Sequence, residues 1–273
     1  MKFSLITATH HRPDLLATQA LPSVLQQEDT DFEWIVINDG QDPETGALIR
    51  QVTSDISINY IEIPHLEAGF GLCRARNIGL QRASGDLVGY LDDDNQLVES
   101  FTRDISVLFD RQPSIRCVIP RQLRRRDIVR NGQCHKRGKS FISPASDATV
   151  WDFVIQRALF DSNGFVHYRG KAPTWNPDFK IFCDYEYFLR CCNRWPIEEF
   201  ALASEIGVYY TQTSEGVIGR STYPEWADEL SQICDRPNRY SILDSEALGA
   251  LQIAIARWQK KSMQQCSIQA FRP

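Results

Sequence analysis

Short apolar runs and amphipathic stretches alternate along the first hundred residues. Residues 3 to 8, Phe3-Ser4-Leu5-Ile6-Thr7-Ala8, read as a buried strand, and the polar turn from Thr9 to Asp14 opens a helix over Leu15 to Gln27. A second apolar run, Phe32 to Asn38, stops at Asp39-Gly40; a helix follows over about Glu44 to Thr53, then a third strand from Ile58 to Ile63. The loop at Gly69-Phe70-Gly71 leads into a helix that Ala83-Ser84-Gly85-Asp86 closes. A fourth strand, Leu87 to Leu91, runs straight into Asp92-Asp93-Asp94, and a helix over Leu97 to Asp110 completes the alternation. Strands and helices in this order predict an α/β domain with a mostly parallel central sheet flanked by helices. Ligands bind such sheets at the carboxyl ends of the strands, which puts Asp39 and the three aspartates on one functional edge.

After residue 110 the pattern changes. A strand over Ile115 to Pro120 precedes a basic segment, Arg121, Arg124, Arg125, Arg126, Arg130, Lys136, Arg137 and Lys139, that reads as a solvated loop or hairpin, or as a surface attracting an anionic ligand or an acidic membrane. Asp178 to Arg190 opens a helix with Asp184 and Glu186 near its start and apolar residues at helical spacing behind them. Phe200 to Ala203 and Ile206 to Tyr210 predict a last strand or hairpin, and Thr211 to Gly219 a flexible loop. Two helical patterns close the chain, Trp226 to Cys234 and about Asp244 to Lys261. In the second, Leu248, Leu251, Ile255 and Trp258 form one apolar face that suits packing on the domain, or contact with a membrane surface or a subunit. With no repeat or convincing linker, the expectation is one domain, with its alternating α/β part at 1–110, a second part at 111–222 and a helical extension at 223–273.

Composition narrows the partners. The chain of 273 residues carries a formal charge of -5, which argues against a generic nucleic-acid binder. Eight cysteines without a CxxC pair suggest free thiols in a reducing compartment, hence a cytoplasmic protein. Met1 to Ile6 is too short for a signal-peptide core and no segment approaches the roughly 18 apolar residues of a membrane span, so any membrane contact is peripheral, at the inner face.

Three adjacent carboxylates at a strand end repel one another and call for a cation or a set of donors. Mg²⁺ or Mn²⁺ suits them, because both take oxygen ligands and complete their shells with water and substrate phosphates; a solvated acidic turn capping the next helix is the alternative. Gly69 and Gly71 lack the third glycine of a dinucleotide fingerprint. The helix behind them instead offers Arg74, Arg76 and Asn77 to an anionic ligand, or to solvent. None of the five histidines forms a spaced metal pair.

Taken together, Leu5-Ile6-Thr7-Ala8-Thr9-His10-His11-Arg12, Val36-Ile37-Asn38-Asp39-Gly40, Ala75-Arg76-Asn77 with Ala83-Ser84-Gly85-Asp86, and Leu91-Asp92-Asp93-Asp94 resemble the inverting nucleotide-sugar glycosyltransferases of family 2, which have the GT-A fold. The resemblance implies a nucleoside diphosphate sugar as donor, UDP by default, a Mn²⁺ or Mg²⁺ ion, and a carbohydrate or lipid-linked acceptor hydroxyl; it makes 1–110 a nucleotide-binding half and 111–222 an acceptor half, with the basic segment attracting an anionic acceptor or assisting the diphosphate. It implies that Asp39 receives hydrogen bonds from the base, that the loop Thr7, Ala8 to His10 lines the base pocket, and that Arg76 positions the nucleotide. Asp92 and Asp93 would approach ribose and metal, with Asp94 the principal ligand. Asp184 would be the general base, Cys183 replacing the usual glutamate before it and Glu186 the fallback. Thr213 stands about where relatives carry a metal-ligating histidine, so the cation would rest mainly on Asp94 and the diphosphate. A sugar-phosphate nucleotidyltransferase needs a glycine-rich phosphate loop that Thr9-His10-His11-Arg12-Pro13 does not offer, and a non-catalytic nucleotide-sugar-binding module is the remaining alternative.

Overall fold

β1 (Phe3–Thr9) is buried at every position, as expected of a strand covered on both faces. A computed structural model describes residues 1–157 and 159–263; residues 264–273 of the expected C-terminal extension lie outside the described residues. The single helix expected over Leu15 to Gln27 is three pieces: α1 (Pro13–Leu15), a π-helical turn (Leu16–Ala20) and α2 (Leu21–Leu25). Pro22 explains the break, since it has no N–H for the carbonyl one turn back and its ring crowds that turn.

β2 (Phe32–Asp39) is again wholly buried, and α3 (Pro43–Arg50) is capped by Asp42, whose side chain accepts from the Glu44 and Thr45 N–H groups. β3 (Ser57–Ile63), α4 (Gly71–Arg82) and β4 (Leu87–Tyr90) follow as expected. The predicted helix at Leu97 starts four residues late, because β5 (Gln96–Leu97) pairs with a distant strand before α5 (Phe101–Arg111) begins.

Residues 111–222 depart furthest from expectation. The strand expected to end at Pro120 continues through the basic segment as β6 (Cys117–Arg130), which turns into β7 (Gln133–Lys136) and also pairs with β8 (Phe141–Ser143). α6 (Val150–Ile155), opened by a Thr149–Asp152 capping box, and β9 (Val166–Tyr168) come next. α7 (Cys183–Cys192) starts at residue 183, not 178. Its entry is fixed from far along the chain: the Glu229 carboxylate accepts the backbone N–H groups of Lys180, Ile181 and Phe182 at 3.0, 2.8 and 2.9 Å. Phe200 to Tyr210 is one strand with an irregular register, β10 (Phe200–Thr213), and the expected flexible loop is partly regular, since β10 extends to Thr213 and α8 (Val217–Arg220) follows. α9 (Tyr223–Cys234) and α10 (Ser245–Ser262) match the expected tail.

The sheet runs in the order β3-β2-β1-β4-β9-β6-β10-β5, with β7 and β8 attached to β6. It is parallel through β3, β2, β1 and β4 and mixed beyond, where β9 lies antiparallel to β4 and β6. One core, with Ile6, Ile35, Tyr90, Trp175 and Tyr187, lies under α4, α7, α9 and α10; the other, with Leu5, Trp34, Val36 and Phe101, lies under α2, α3 and α5. On α10, Leu251, Ile255 and Trp258 are buried within the first core, so most of the expected apolar face packs on the domain. The order places the ends of β1, β2 and β4 side by side.

Candidate active site

Two clusters form on that edge. The first gathers at the end of β2. Asp39 is buried; its carboxylate meets His65 Nδ1 at 2.9 Å and accepts from Arg74 Nη2 at 3.3 Å, and its carbonyl oxygen contacts His10 Nδ1. The His10 and His65 rings stack with centroids 4.6 Å apart. His10, Asp39 and His65 therefore present ligand atoms within 4.8 Å of one another, a pairing of histidines that spacing along the chain did not suggest. Gly71 at the start of α4 makes room, since a Cβ there would stand 2.0 Å from Asp39 Oδ2. Of the expected pocket lining, Thr7 and Ala8 lie inside β1, and the Thr7 hydroxyl accepts from Trp34 Nε1 at 2.9 Å.

The second cluster follows β4. Arg76, 1% exposed, donates to Asp92 Oδ1 and to Asp184 Oδ1, both at 2.7 Å. Its guanidinium lies 4.3 Å over the Trp175 ring, which stacks on Tyr187 at 3.8 Å. Asn163 holds the other side of Asp92, accepting its backbone N–H at 2.6 Å and donating to Oδ2 at 2.9 Å. The helix carrying Arg76 was expected to offer Arg74, Arg76 and Asn77 to an anion. Instead Arg74 engages Asp39, Arg76 is buried between two carboxylates, and Asn77 clamps the Trp175 backbone in both directions at 2.9 and 2.7 Å.

Asp93 is fully buried, and neither of its oxygens has a hydrogen bond of good geometry; its counter-charge is Arg12, whose Nη2 lies 2.6 Å away. Arg12 Nη1 also reaches Asp94 Oδ2 at 3.2 Å. The turn that aims Arg12 includes His11 in the left-handed region, at φ 51°. Asp94 keeps 29% of its side chain exposed.

Burial and crowding set the charges. Burial pushes Asp93 up to about 7 and Asp94 up to about 6, with neighbouring aspartates adding to the rise and Arg12 opposing it. Desolvation likewise lifts Asp184 to about 6 against the pull of Arg76, helped by Asp161 and Asp92. Desolvation acts on Asp92 too, but Arg76 and the Asn163 hydrogen bond outweigh it and hold that carboxyl below its usual value. One guanidinium thus joins an acid held below its usual value and an acid raised above it. Glu186, on the same helix turn, points elsewhere and accepts from Tyr240 at 3.0 Å.

Asp93 and Asp94 are hard oxygen donors of the kind a divalent cation takes, and Arg12 now supplies the positive charge there at 2.6 and 3.2 Å, while both Asp92 oxygens are engaged by Arg76 and Asn163. Sequence reasoning passed over Arg12, His65, Asp161 and Asn163. His65 had a signal, since it follows the end of β3 on the functional edge.

The fold and this pair of clusters define a GT-A protein. Staphylococcus aureus TarS, solved over residues 1–349, superposes with a TM-score of 0.66 at 15% identity, covering 96% of this chain and 72% of that one. The mannosyltransferase PcManGT from Pyrobaculum calidifontis, solved with GDP-Man and Mn²⁺, gives 0.57 at 13%, covering 97% and 76%. In sequence, a stretch of 91 residues is 35% identical to the hyaluronan synthase of Pasteurella multocida, covering 33% of this chain and 9% of that protein, and TarS matches at 25% over 116 residues, 42% of this chain and 20% of its own length. The family model of glycosyl transferase family 2 matches residues 4–163, and the chain belongs to that family. It spans a fifth or less of the length of these two curated relatives. Among the described residues no helix is long and apolar enough to cross a membrane.

Proposed function

We propose that the protein transfers a sugar from a nucleoside diphosphate sugar, UDP by default, to a hydroxyl of a carbohydrate or lipid-linked acceptor, with inversion at the anomeric carbon. The observation that carries this reading is the Arg76 fork, which joins Asp92 from the donor edge to Asp184 from the acceptor half at 2.7 Å each. Asp184 takes the proton from the acceptor hydroxyl as the oxygen bonds to the anomeric carbon and the bond from that carbon to the diphosphate oxygen breaks. Asp39 and His10 receive the base, and Arg76 acts on the nucleotide side through Asp92. Asp94, with Asp92 and Asp93, would hold Mn²⁺ or Mg²⁺, which supplies charge compensation to the departing diphosphate. TarS has been solved with UDP and with UDP-GlcNAc and PcManGT with GDP-Man and Mn²⁺, which supports a nucleotide-sugar donor.

The test is a thermal-shift series with UDP, GDP and dTDP with and without Mn²⁺, followed by Asp184→Asn. Metal-dependent stabilisation by one nucleotide, retained in Asp184→Asn while transfer disappears, is the expected result. Pyrophosphate release from a nucleoside triphosphate and a sugar phosphate would favour a nucleotidyltransferase and overturn the proposal.

A further inference from the structure

β6 leaves the active site as a ladder of alternate side chains on one face. Gln122 is the inner rung: its Nε2 donates to Asp161 Oδ1 at 3.2 Å and to the Asn163 carbonyl at 2.8 Å, and Asn163 in turn holds Asp92. Arg124 follows, its guanidinium 5.2 Å over the Tyr210 ring and donating to Gln122 Oε1 at 2.7 Å and to the Leu159 carbonyl at 2.8 Å. Arg126 is next, 5.8 Å over the exposed Phe141 ring and donating to Gln212 Oε1 at 3.1 Å. Alternate residues on a strand are ~7 Å apart, so Arg126 lies ~13 Å out from Gln122 and Arg130, at the strand's end, ~26 Å out.

The acids near this ladder are already engaged. Asp127 faces the opposite side of β6, paired with Arg125 at 2.9 Å and accepting the Gly138 N–H at 3.0 Å. Glu215 accepts the Asn131 and Gly132 N–H groups at the hairpin tip at 2.8 and 3.2 Å. Among the described residues Arg126, Arg130 and Lys136 have no carboxylate within 4.0 Å, in a chain whose formal charge is -5. Cations concentrated on one strand of an acidic protein, in register with its reaction centre, form a local attractive field for an anionic chain.

We propose that this face of β6 binds the acceptor, and that the acceptor is a polymer carrying phosphodiesters. The inference rests on the glycosyl-transfer reading above and names its substrate class. A repeated charge is favoured over a single diphosphate head group because the ladder offers cations at Arg124, Arg126 and Arg130, spread over ~20 Å, where one diphosphate needs only one of them. Arg124 and Arg126 position that chain so that a hydroxyl near its inner end reaches Asp184.

The test uses a short oligomer of glycerol joined by phosphodiesters, an uncharged oligoglycerol of equal length and phosphatidylglycerol vesicles. The variant is Arg126→Gln/Arg130→Gln/Lys136→Gln, three substitutions at exposed sites. We expect the phosphodiester oligomer to bind the wild type, to weaken steeply with added salt, and to bind the variant at least tenfold less tightly. Uncharged oligomer should not bind, and the UDP thermal shift should be the same in both proteins. Equal oligomer binding by wild type and variant overturns the proposal. So does vesicle binding that is lost in the variant while the oligomer fails to bind, which would make the strand a membrane contact. Loss of the UDP shift in the wild type would instead overturn the donor reading while leaving the oligomer comparison to judge this surface.

Discussion

Replacing Arg76 by Gln removes the guanidinium that joins Asp92 and Asp184 and leaves both acids facing each other without a counter-charge. Breaking a buried ion pair from one side costs about 3–5 kcal/mol. Asp92 and Asp184 keep 23% and 25% of their side chains exposed, so solvent screens part of the loss, and the lower bound of ~3 kcal/mol is appropriate at pH 8. For a chain of this size that corresponds to a fall in Tm of ~6 °C. The sign with pH follows from the two acids. Arg76 lowers both carboxyls, so its contribution is present where they are ionised and disappears as the pH falls and they take up protons. The Tm deficit should therefore be largest at pH 8 and shrink by pH 5. In the same variant the Asp184 carboxyl, already lifted to about 6 by desolvation, rises further, so the acid limb of the rate profile moves to higher pH. Differential scanning calorimetry at pH 5 and pH 8 checks the first effect and acceptor-varied kcat/KM against pH the second. Arg76→Lys, which retains the charge and can reach one acid, should fall between. A variant as stable as wild type at pH 8, or one whose deficit grows as the pH is lowered, would refute the account of the fork.

Asp184→Asn should abolish transfer and leave UDP binding within a factor of about two, read by calorimetric titration. It should also stabilise the protein slightly above pH 6: the raised Asp184 carboxyl means the folded state holds its proton more tightly, so its share of stability falls as pH rises from 3.8 to about 6, and an amide removes that slope. Gly71→Ala brings a Cβ to 2.0 Å of Asp39 Oδ2 and must displace that carboxylate; the UDP affinity should drop at least tenfold, and an unchanged affinity would detach Asp39 from the base. Arg12→Gln withdraws the cation that now sits on Asp93 and Asp94, so Mn²⁺, followed by electron paramagnetic resonance, should bind the donor-free protein roughly tenfold more tightly, by ~1.4 kcal/mol; weaker binding would mean that Arg12 supports the metal site.

The edge that carries the site was legible because β1, β2 and β4 are uninterrupted apolar runs that end in polar residues, and a buried strand leaves little doubt where it stops. The place of Asp184 in the first turn of a helix with an apolar back was legible for a similar reason. What escaped the sequence depends on pairing across the fold. Arg76 was expected to face a ligand, yet Trp175 and two acids distant in sequence enclose it. The start of α7 was misplaced because Glu229 on α9 takes the N–H groups of residues 180 to 182 and so holds the approach out of the helix, and no local residue signals that. β6 was misread because arginines suggest solvent, whereas here the heads of Arg124 and Arg126 lie over the Tyr210 and Phe141 rings. His10 and His65 meet only because β1 and β3 flank β2.

The Trp175 stack gives the reaction centre an optical reporter. Its indole is 1% exposed, lies 3.8 Å from the Tyr187 ring and carries a guanidinium 4.3 Å above it. A fixed positive charge over one face of an indole shifts its emission, and any ligand that draws Asp92 or Asp184 away from Arg76 alters that field without touching the ring. The chain has six tryptophans, so the difference spectrum between wild type and Trp175→Phe isolates this signal. Donor and acceptor occupancy can then be followed by light alone, in stopped flow, before the chemical identity of either substrate is known.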